Sequence, residues 1–176
     1  MIDLNFDFLQ KHPVIGIDEV GRGAWAGPVY AGAALLKYKN SYNIPNEIND
    51  SKQLSQKSRE NILEKIKDNS NLSFGAISSK YVDKLGLQKA VFLAMEKALF
   101  NLKVYKNLEE YIVIIDGNIL PNFSKKNLNI KKLIKGDTIS PSVAVASIYA
   151  KVQRDNFMKN LSKLYPKYNW NKNMGY

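Results

Sequence analysis

Four acids in this chain stand where an apolar run breaks off. Asp18 and Glu19 follow Val14-Ile15-Gly16-Ile17, Asp116 follows Tyr111-Ile112-Val113-Ile114-Ile115, and Asp137 follows the run from Ile130 to Ile134. Taken singly, Asp116-Gly117-Asn118 and Lys135-Gly136-Asp137 are also ordinary turn sequences. Three separate acidic strand ends in one basic chain point further. Carboxylates drawn together repel each other unless cations neutralise them. Carboxylate and water are the preferred surroundings of Mg²⁺ and Mn²⁺. Two such ions about 3.5–4 Å apart can activate a water and stabilise the leaving oxygen of an in-line phosphoryl displacement.

Composition narrows the choice. There is no cysteine and a single histidine, His12, directly before Pro13. Thiolate zinc sites and cysteine nucleophiles are excluded, and any metal must be held by oxygen, which favours Mg²⁺, Mn²⁺ or Ca²⁺ over zinc or copper. The formal charge is +10, from 26 Lys+Arg against 16 Asp+Glu. That excess suits a polyanion, most simply nucleic acid. No signal-peptide pattern or apolar run of transmembrane length is present, so a soluble cytoplasmic protein is expected. There is no P-loop, which argues against an ATPase.

The elements that must position the acids follow from periodicity. Val14 onward reads as a buried strand that ends in Gly21-Arg22-Gly23. Adjacent strand residues point to opposite faces, so Asp18 and Glu19 serve one site only if the strand bends or one acid reaches round its end. Glycines at 21 and 23 permit such a bend and close backbone approach to a bound group. Val29 to Leu36 is a second strand, antiparallel to the first given the short link. Residues 37–50 read as a loop, and Ser55 as the N-cap of a helix carrying Ile62, Leu63 and Ile66 on one face. Leu72 to Ser79 is a third strand, with Phe74, Ala76 and Ser78 on one face. A helical turn covers Tyr81 to Leu85. From Leu87 a longer helix carries Leu87, Val91, Ala94, Met95, Ala98 and Leu102 as a core stripe. Tyr111 to Ile115 is a strand buried on both faces, and Ile130 to Ile134 is another. Ser140-Pro141 starts a helix by cap and first-turn proline that runs toward Leu161. Residues 162–176 are basic and aromatic. No domain boundary is visible, so residues 1–176 are read as one α/β domain: a mixed sheet with helices packed on it. Ligands of open α/β sheets gather at the carboxyl ends of strands. Asp18 and Asp116 therefore converge if their strands are parallel neighbours.

The ordered series Gly16-Ile17-Asp18-Glu19-Val20-Gly21-Arg22-Gly23, Gly27-Pro28-Val29, Asp50-Ser51-Lys52 with Leu54-Ser55, Ile115-Asp116-Gly117-Asn118, Lys135-Gly136-Asp137, Ala146-Ser147-Ile148 with Ala150-Lys151-Val152 and Arg154-Asp155, and Gly175-Tyr176 resembles the bacterial ribonuclease HII family. The resemblance implies a ribonuclease H-like fold with a five-stranded mixed sheet flanked by helices. It implies cleavage of RNA in RNA–DNA hybrids, and cleavage 5′ to ribonucleotides embedded in duplex DNA, leaving 3′-hydroxyl and 5′-phosphate ends. By the same resemblance Asp18, Glu19, Asp116 and Asp137 are the catalytic carboxylates. Asp18, Glu19 and Asp116 are the ligands of Mn²⁺ or Mg²⁺. Gly21, Arg22 and Gly23 form the ribonucleotide-sensing turn, since the 2′-hydroxyl is what separates RNA from DNA at a site. Tyr176 packs at the ribose–deoxyribose junction, and Lys52 and Lys151 are basic positions near substrate. Asp155 is read as a helix-borne structural partner of a basic residue. The expected partners are RNA–DNA hybrid and ribonucleotide-containing duplex DNA, with no membrane, and the protein is expected to act as a monomer.

The chain departs from the family pattern at Ala24-Trp25 and at Asn173-Met174, where a lysine often precedes the glycine. Family members usually continue past the position of Tyr176, and a tyrosine at a chain end is expected to be weakly held. Two other readings stay open on the residues alone. One is a non-catalytic nucleic-acid-binding module whose acids only shape turns. The other is a ribose-indifferent nuclease on the same fold.

Overall fold

The structure is a computed structural model and describes residues 2–176. Five strands form one sheet: β1 (Val14–Val20), β2 (Val29–Leu36), β3 (Ser70–Ile77), β4 (Ile112–Asp116) and β5 (Asn129–Leu133). Their spatial order is β3-β2-β1-β4-β5. β2 runs antiparallel to β1 and β3, while β4 is parallel to both β1 and β5. The short link between β1 and β2 makes the antiparallel pair, as the spacing suggests. The sheet is thus mixed, and its direction changes beside β1.

The helices are α1 (Gln56–Ile66), α2 (Ser79–Leu85), α3 (Leu87–Asn101), α4 (Pro141–Leu164) and α5 (Trp170–Asn173). α3 covers one face. Its Ala90, Val91, Ala94, Met95, Ala98 and Leu99 bury against Ile15, Ile17, Ala33, Val113 and Ile115. α4 and α1 cover the other face, where Ile62, Ile66, Ala144, Val145 and Ile148 meet Ala34, and Val143 meets Val14, Ile112 and Ile114. β4 feeds both layers, which accounts for its unbroken β-branched run.

α4 is central, with fourteen of its 24 residues buried. Small residues let it approach the sheet closely. A Cβ on Gly16 would come within 2.2 Å of Ser142 and Val143 backbone, and one on Gly32 within 2.1 Å of the Ala146 carbonyl. Ala at either position would push the helix off the strands that carry the acids. The start of α4 is fixed twice. Ser140 Oγ accepts from Val143 N–H, and the distant Asp7 accepts from Ser140 Oγ (2.6 Å) and Ser142 N–H (2.9 Å).

Two local expectations shift, both on α3, and β3 adds a detail of packing. On β3 the buried residues are Ser70, Ser73, Gly75 and Ile77, and Phe74 faces partly outward. The reason is Gly75, which admits the backbone of α3; a Cβ there would lie 2.2 Å from the Ala94 carbonyl. Phe74 instead stacks on Tyr30 at 5.4 Å. Leu87 is partly exposed at the first turn of α3. Leu102 is buried but lies just past the end of that helix. Among the described residues, no helix is long and apolar enough to cross a membrane.

Candidate active site

The register decides how the acids meet. Ile17 of β1 pairs with Ile115 of β4 in parallel, so the next residues, Asp18 and Asp116, leave neighbouring strands side by side. Gly16 faces α4, and alternation puts Asp18 on that same face. There the Ser147 hydroxyl of α4 lies close enough to pull its carboxyl pKa downward. Ser147 Oγ is 2.9 Å from Ser51 Oγ, so the loop carrying Asp50-Ser51-Lys52 is tied to α4 beside the acid by a buried serine pair. Glu19 points the other way, toward Arg22 (3.4 Å). Arg22 in turn donates to Gln88 at the start of α3 (2.9 Å). The strand ends there, so both acids still border one space.

Asp137 arrives from a third direction, on the 3-10 turn Gly136–Thr138 between β5 and α4, and is buried. That turn starts at Lys135, whose φ of 56° and ψ of 40° are left-handed. The Gly136 N–H then donates to Asp116 Oδ1 (2.6 Å). Lys52 Nζ stands 3.7 Å from Asp137 Oδ2. A cavity of about 320 Å³ is lined by Asp18, Glu19, Gly21, Arg22, Gly23, Ser51, Lys52, Asp116, Ser147, Lys151 and Tyr176. Every residue singled out from the sequence borders it except Asp137, which reaches it through Lys52 and Asp116.

The electrostatics are those of crowded acids. Burial, then the charges of Glu19 and Asp116, push the Asp18 carboxyl well above the usual range. Burial also raises Glu19, with Arg22 opposing it. Burial raises Asp116, opposed by the Gly136 N–H. Burial works against the charge of Lys52, but Asp137, Asp50 and Asp18 outweigh it and hold its pKa high. A divalent cation would relieve this repulsion, and the oxygen-only donor set fits one. Among the described residues no three of these acids close round one point tightly enough to cage a metal by themselves.

The rim is built from backbone. Gly21 has φ +94°, and a Cβ there would strike Arg154 Nε at 2.4 Å. Arg154, wholly buried on α4, donates to the carbonyls of Pro28 (3.0 Å), Ala26 (3.0 Å) and Met174 (2.8 Å). It therefore clamps the glycine turn and the C-terminal segment together. The carbonyl of Gly175, which has φ +85°, accepts from Trp25 and Ala26 N–H. Tyr176 is held better than a chain end suggests. Its N–H donates to Asn173, and its ring stands over Lys151 and Arg154 at 5.7 and 5.3 Å. Asp155 is structural, as expected: it pairs with Lys151 (2.7 Å) and Arg59 (3.4 Å). Arg59 also donates to the Ser51 and Leu54 carbonyls. Reading the residues alone left out the supports Ser147, Arg154 and Gln88. Ser147 and Arg154 do lie inside quoted motifs, but only contact shows what they hold.

The family model described as Ribonuclease HII matches residues 15–176. A ribonuclease HII of Fusobacterium nucleatum is 45% identical over 170 residues, covering 96% of this chain and 76% of its own. Among solved structures, ribonuclease H2 from Pyrococcus horikoshii superposes with a TM-score of 0.72 at 25% identity, over 86% of this chain and 76% of that one. The Mn²⁺ complex of Bst ribonuclease HIII shares the fold, with a TM-score of 0.72 at 23% identity, over 92% of this chain and 57% of that one. With its sheet order, its converging acids and this match over nearly the whole length, the chain belongs to the ribonuclease HII family and is a hydrolase of that type.

Proposed function

We propose that this protein is a metal-dependent endonuclease that cuts RNA in RNA–DNA hybrids and cuts 5′ to ribonucleotides embedded in duplex DNA, leaving 3′-hydroxyl and 5′-phosphate ends. The observation that carries the reading is the cavity itself. It joins the ends of two parallel strands bearing Asp18 and Asp116 to a glycine turn and to two lysines. Asp18, Glu19 and Asp116 are the residues proposed to hold Mg²⁺ or Mn²⁺, with Asp137 as the fourth acid. When bound, the metal supplies an activated water and stabilises the leaving oxygen at the scissile phosphate.

The chain's own residues do the rest. Gly21 and Gly23 bring backbone to the ribose, where a 2′-hydroxyl can be told from hydrogen. Arg22 is positioned by Gln88, and Lys52 and Lys151 face the phosphates. Tyr176 offers a half-exposed ring at the cavity edge for the sugar junction. The N–H groups of Glu19 and Gly136 orient Asp18 and Asp116. The working unit proposed is a single catalytic domain over residues 1–176 that includes the basic and aromatic segment 162–176. It would act as a cytoplasmic monomer.

The test uses two labelled duplexes, one with a single ribonucleotide and one all DNA, each with and without Mg²⁺ or Mn²⁺. Incision only of the first, only with metal, is expected. Metal-dependent incision of both would mark a ribose-indifferent nuclease. Binding of the first without incision would overturn the catalytic reading.

A further inference from the structure

A second basic feature lies outside the catalytic cavity. No acidic residue stands between Asp155 and Tyr176, while Lys159, Lys163, Lys167 and Lys172 fall in that stretch. None of the four pairs with a carboxylate among the described residues. Lys159 and Lys163 are four apart on α4, and like charges at that spacing weaken a helix. The helix dipole favours Lys163 in the last turn, but it does not explain the whole run. With Ser162, Pro166, Asn169 and Asn171, these two lysines line an open groove of about 520 Å³.

One segment borders both the groove, through Asn171, and the active-site cavity, through Tyr176. After Pro166 the chain folds back along α4, in the reverse direction. Asn171 meets Ser162 (3.1 Å), Met174 meets Arg154 (2.8 Å), and Tyr176 lies over Lys151. The bond from Ser162 Oγ to Asn171 Oδ1 leaves the Asn171 NH₂ available as a donor. Tyr168 stacks on Trp170 at 4.7 Å and 10°, with Tyr165 edge-on to the same indole. These contacts make the returning segment a firm wall. Lys159 and Lys163 lie 8 and 12 residues beyond Lys151, roughly 12–18 Å along the helix at 1.5 Å per residue. At 3.4 Å per base pair that is about four to five base pairs of duplex.

We propose that this groove binds the phosphate backbone of the duplex flanking the cut, about four to five base pairs from the scissile phosphate. The inference rests on the proposed function for its occupant. Its chemistry is neutralisation of phosphates by lysine with neutral donors from Asn and Ser, which adds affinity without reading sequence.

The experiment measures binding of ribonucleotide-containing duplex against salt, for the intact protein and for Lys159→Ala/Lys163→Ala. A control, Lys84→Ala/Lys97→Ala, removes equal charge from α2 and α3. Three duplexes are used: long on both sides of the ribonucleotide, or trimmed to three base pairs on one side or the other. On the long duplex the groove variant should bind severalfold more weakly, with its salt slope reduced by about two, one per phosphate contact. Trimming one particular side should erase the difference, and trimming the other should not. Equal binding by wild type and groove variant on the long duplex overturns the proposal. So does a loss that ignores trimming, or one matched by the control. Incision by wild type, followed in parallel, reports on the proposed activity separately from the groove.

Discussion

Asp7 and Asp18 are two carboxylates facing the same helix, seven residues or two turns apart along α4, and they meet opposite fates. Asp7 faces donors: Ser140 Oγ and Ser142 N–H, at the helix end where the dipole favours negative charge. Burial raises its pKa, but those bonds pull the other way. Asp18 receives a hydrogen bond from Glu19 N–H (2.7 Å), with the Ser147 hydroxyl nearby, yet it faces the charges of Glu19, Asp116 and Asp137. One acid finishes a helix. The other is held against its own electrostatics, which is the mark of a group kept for chemistry rather than for stability.

The sharpest way to break this contrast is Asp18→Asn. It keeps the shape and removes a charge. Incision should fall roughly 10³-fold or more, the scale seen when a group aimed at the reacting centre is lost. Binding of the duplex should persist, because the basic surface is intact. Without metal the variant should be more stable by about 1 kcal/mol, a rise of roughly 2–4 °C in Tm for a chain of this size. A drop in metal-free Tm would show that Asp18 is a structural acid like Asp7. Asp116→Asn should lose activity to the same degree.

Asp7→Ala should act in reverse. Removing an acceptor from two donors at a helix start costs about 1–2 kcal/mol, read as a lower Tm or denaturant midpoint. Incision at saturating substrate should remain within about twofold, because no contact of Asp7 reaches the cavity. If activity fell with stability unchanged, α4 would be transmitting more than position.

These two acids also show what the chain discloses before it folds. Asp18, Glu19 and Asp116 are legible because each ends a short apolar run, and strand ends are where such sheets place ligands. The sheet was equally legible, down to the double burial of β4. Asp7 was not, since its partners lie 133 and 135 residues away and nothing local marks it as a cap. Gly75 was silent as well, since nothing local marks it as the residue that lets α3 approach β3. Arg154 is wholly buried and satisfied by three carbonyls, which no local pattern marks. Long-range donor pairing and helix approach are properties of the folded neighbourhood, not of any window of residues.

A pH titration of stability sharpens the contrast without mutation. Both acids have a folded pKa raised above the ordinary 3.8, Asp18 the further of the two. Between the unfolded and folded values the folded state holds more protons, so stability falls as pH rises through that window. The metal-free protein should therefore gain Tm as pH drops from neutral toward the upper edge of the ordinary carboxylate range. Asp18→Asn should flatten more of that slope than Asp7→Asn, the remainder belonging to Glu19 and Asp116, which burial also raises. Saturating Mg²⁺ should reverse the trend in wild type, because the metal needs the ionised form. A slope carried mainly by Asp7 would invert the assignment.

The smallest effect expected is that of Lys52→Ala. Its ammonium is the cation nearest Asp137, at 3.7 Å, but its side chain is largely exposed. Exposed pairs contribute about 0–1 kcal/mol, so metal-free stability should fall by less than about 1 kcal/mol. The informative quantity is the difference between conditions. With Lys52 gone the acids have one less counter-charge, so added Mg²⁺ should raise the Tm of Lys52→Ala more than that of wild type. The same comparison on an Asp18→Asn background should shrink, since Asp18 is among the charges that hold the Lys52 pKa up. Additive behaviour of the two substitutions would mean that Lys52 and the acid cluster are electrostatically independent, and that Lys52 faces the substrate alone.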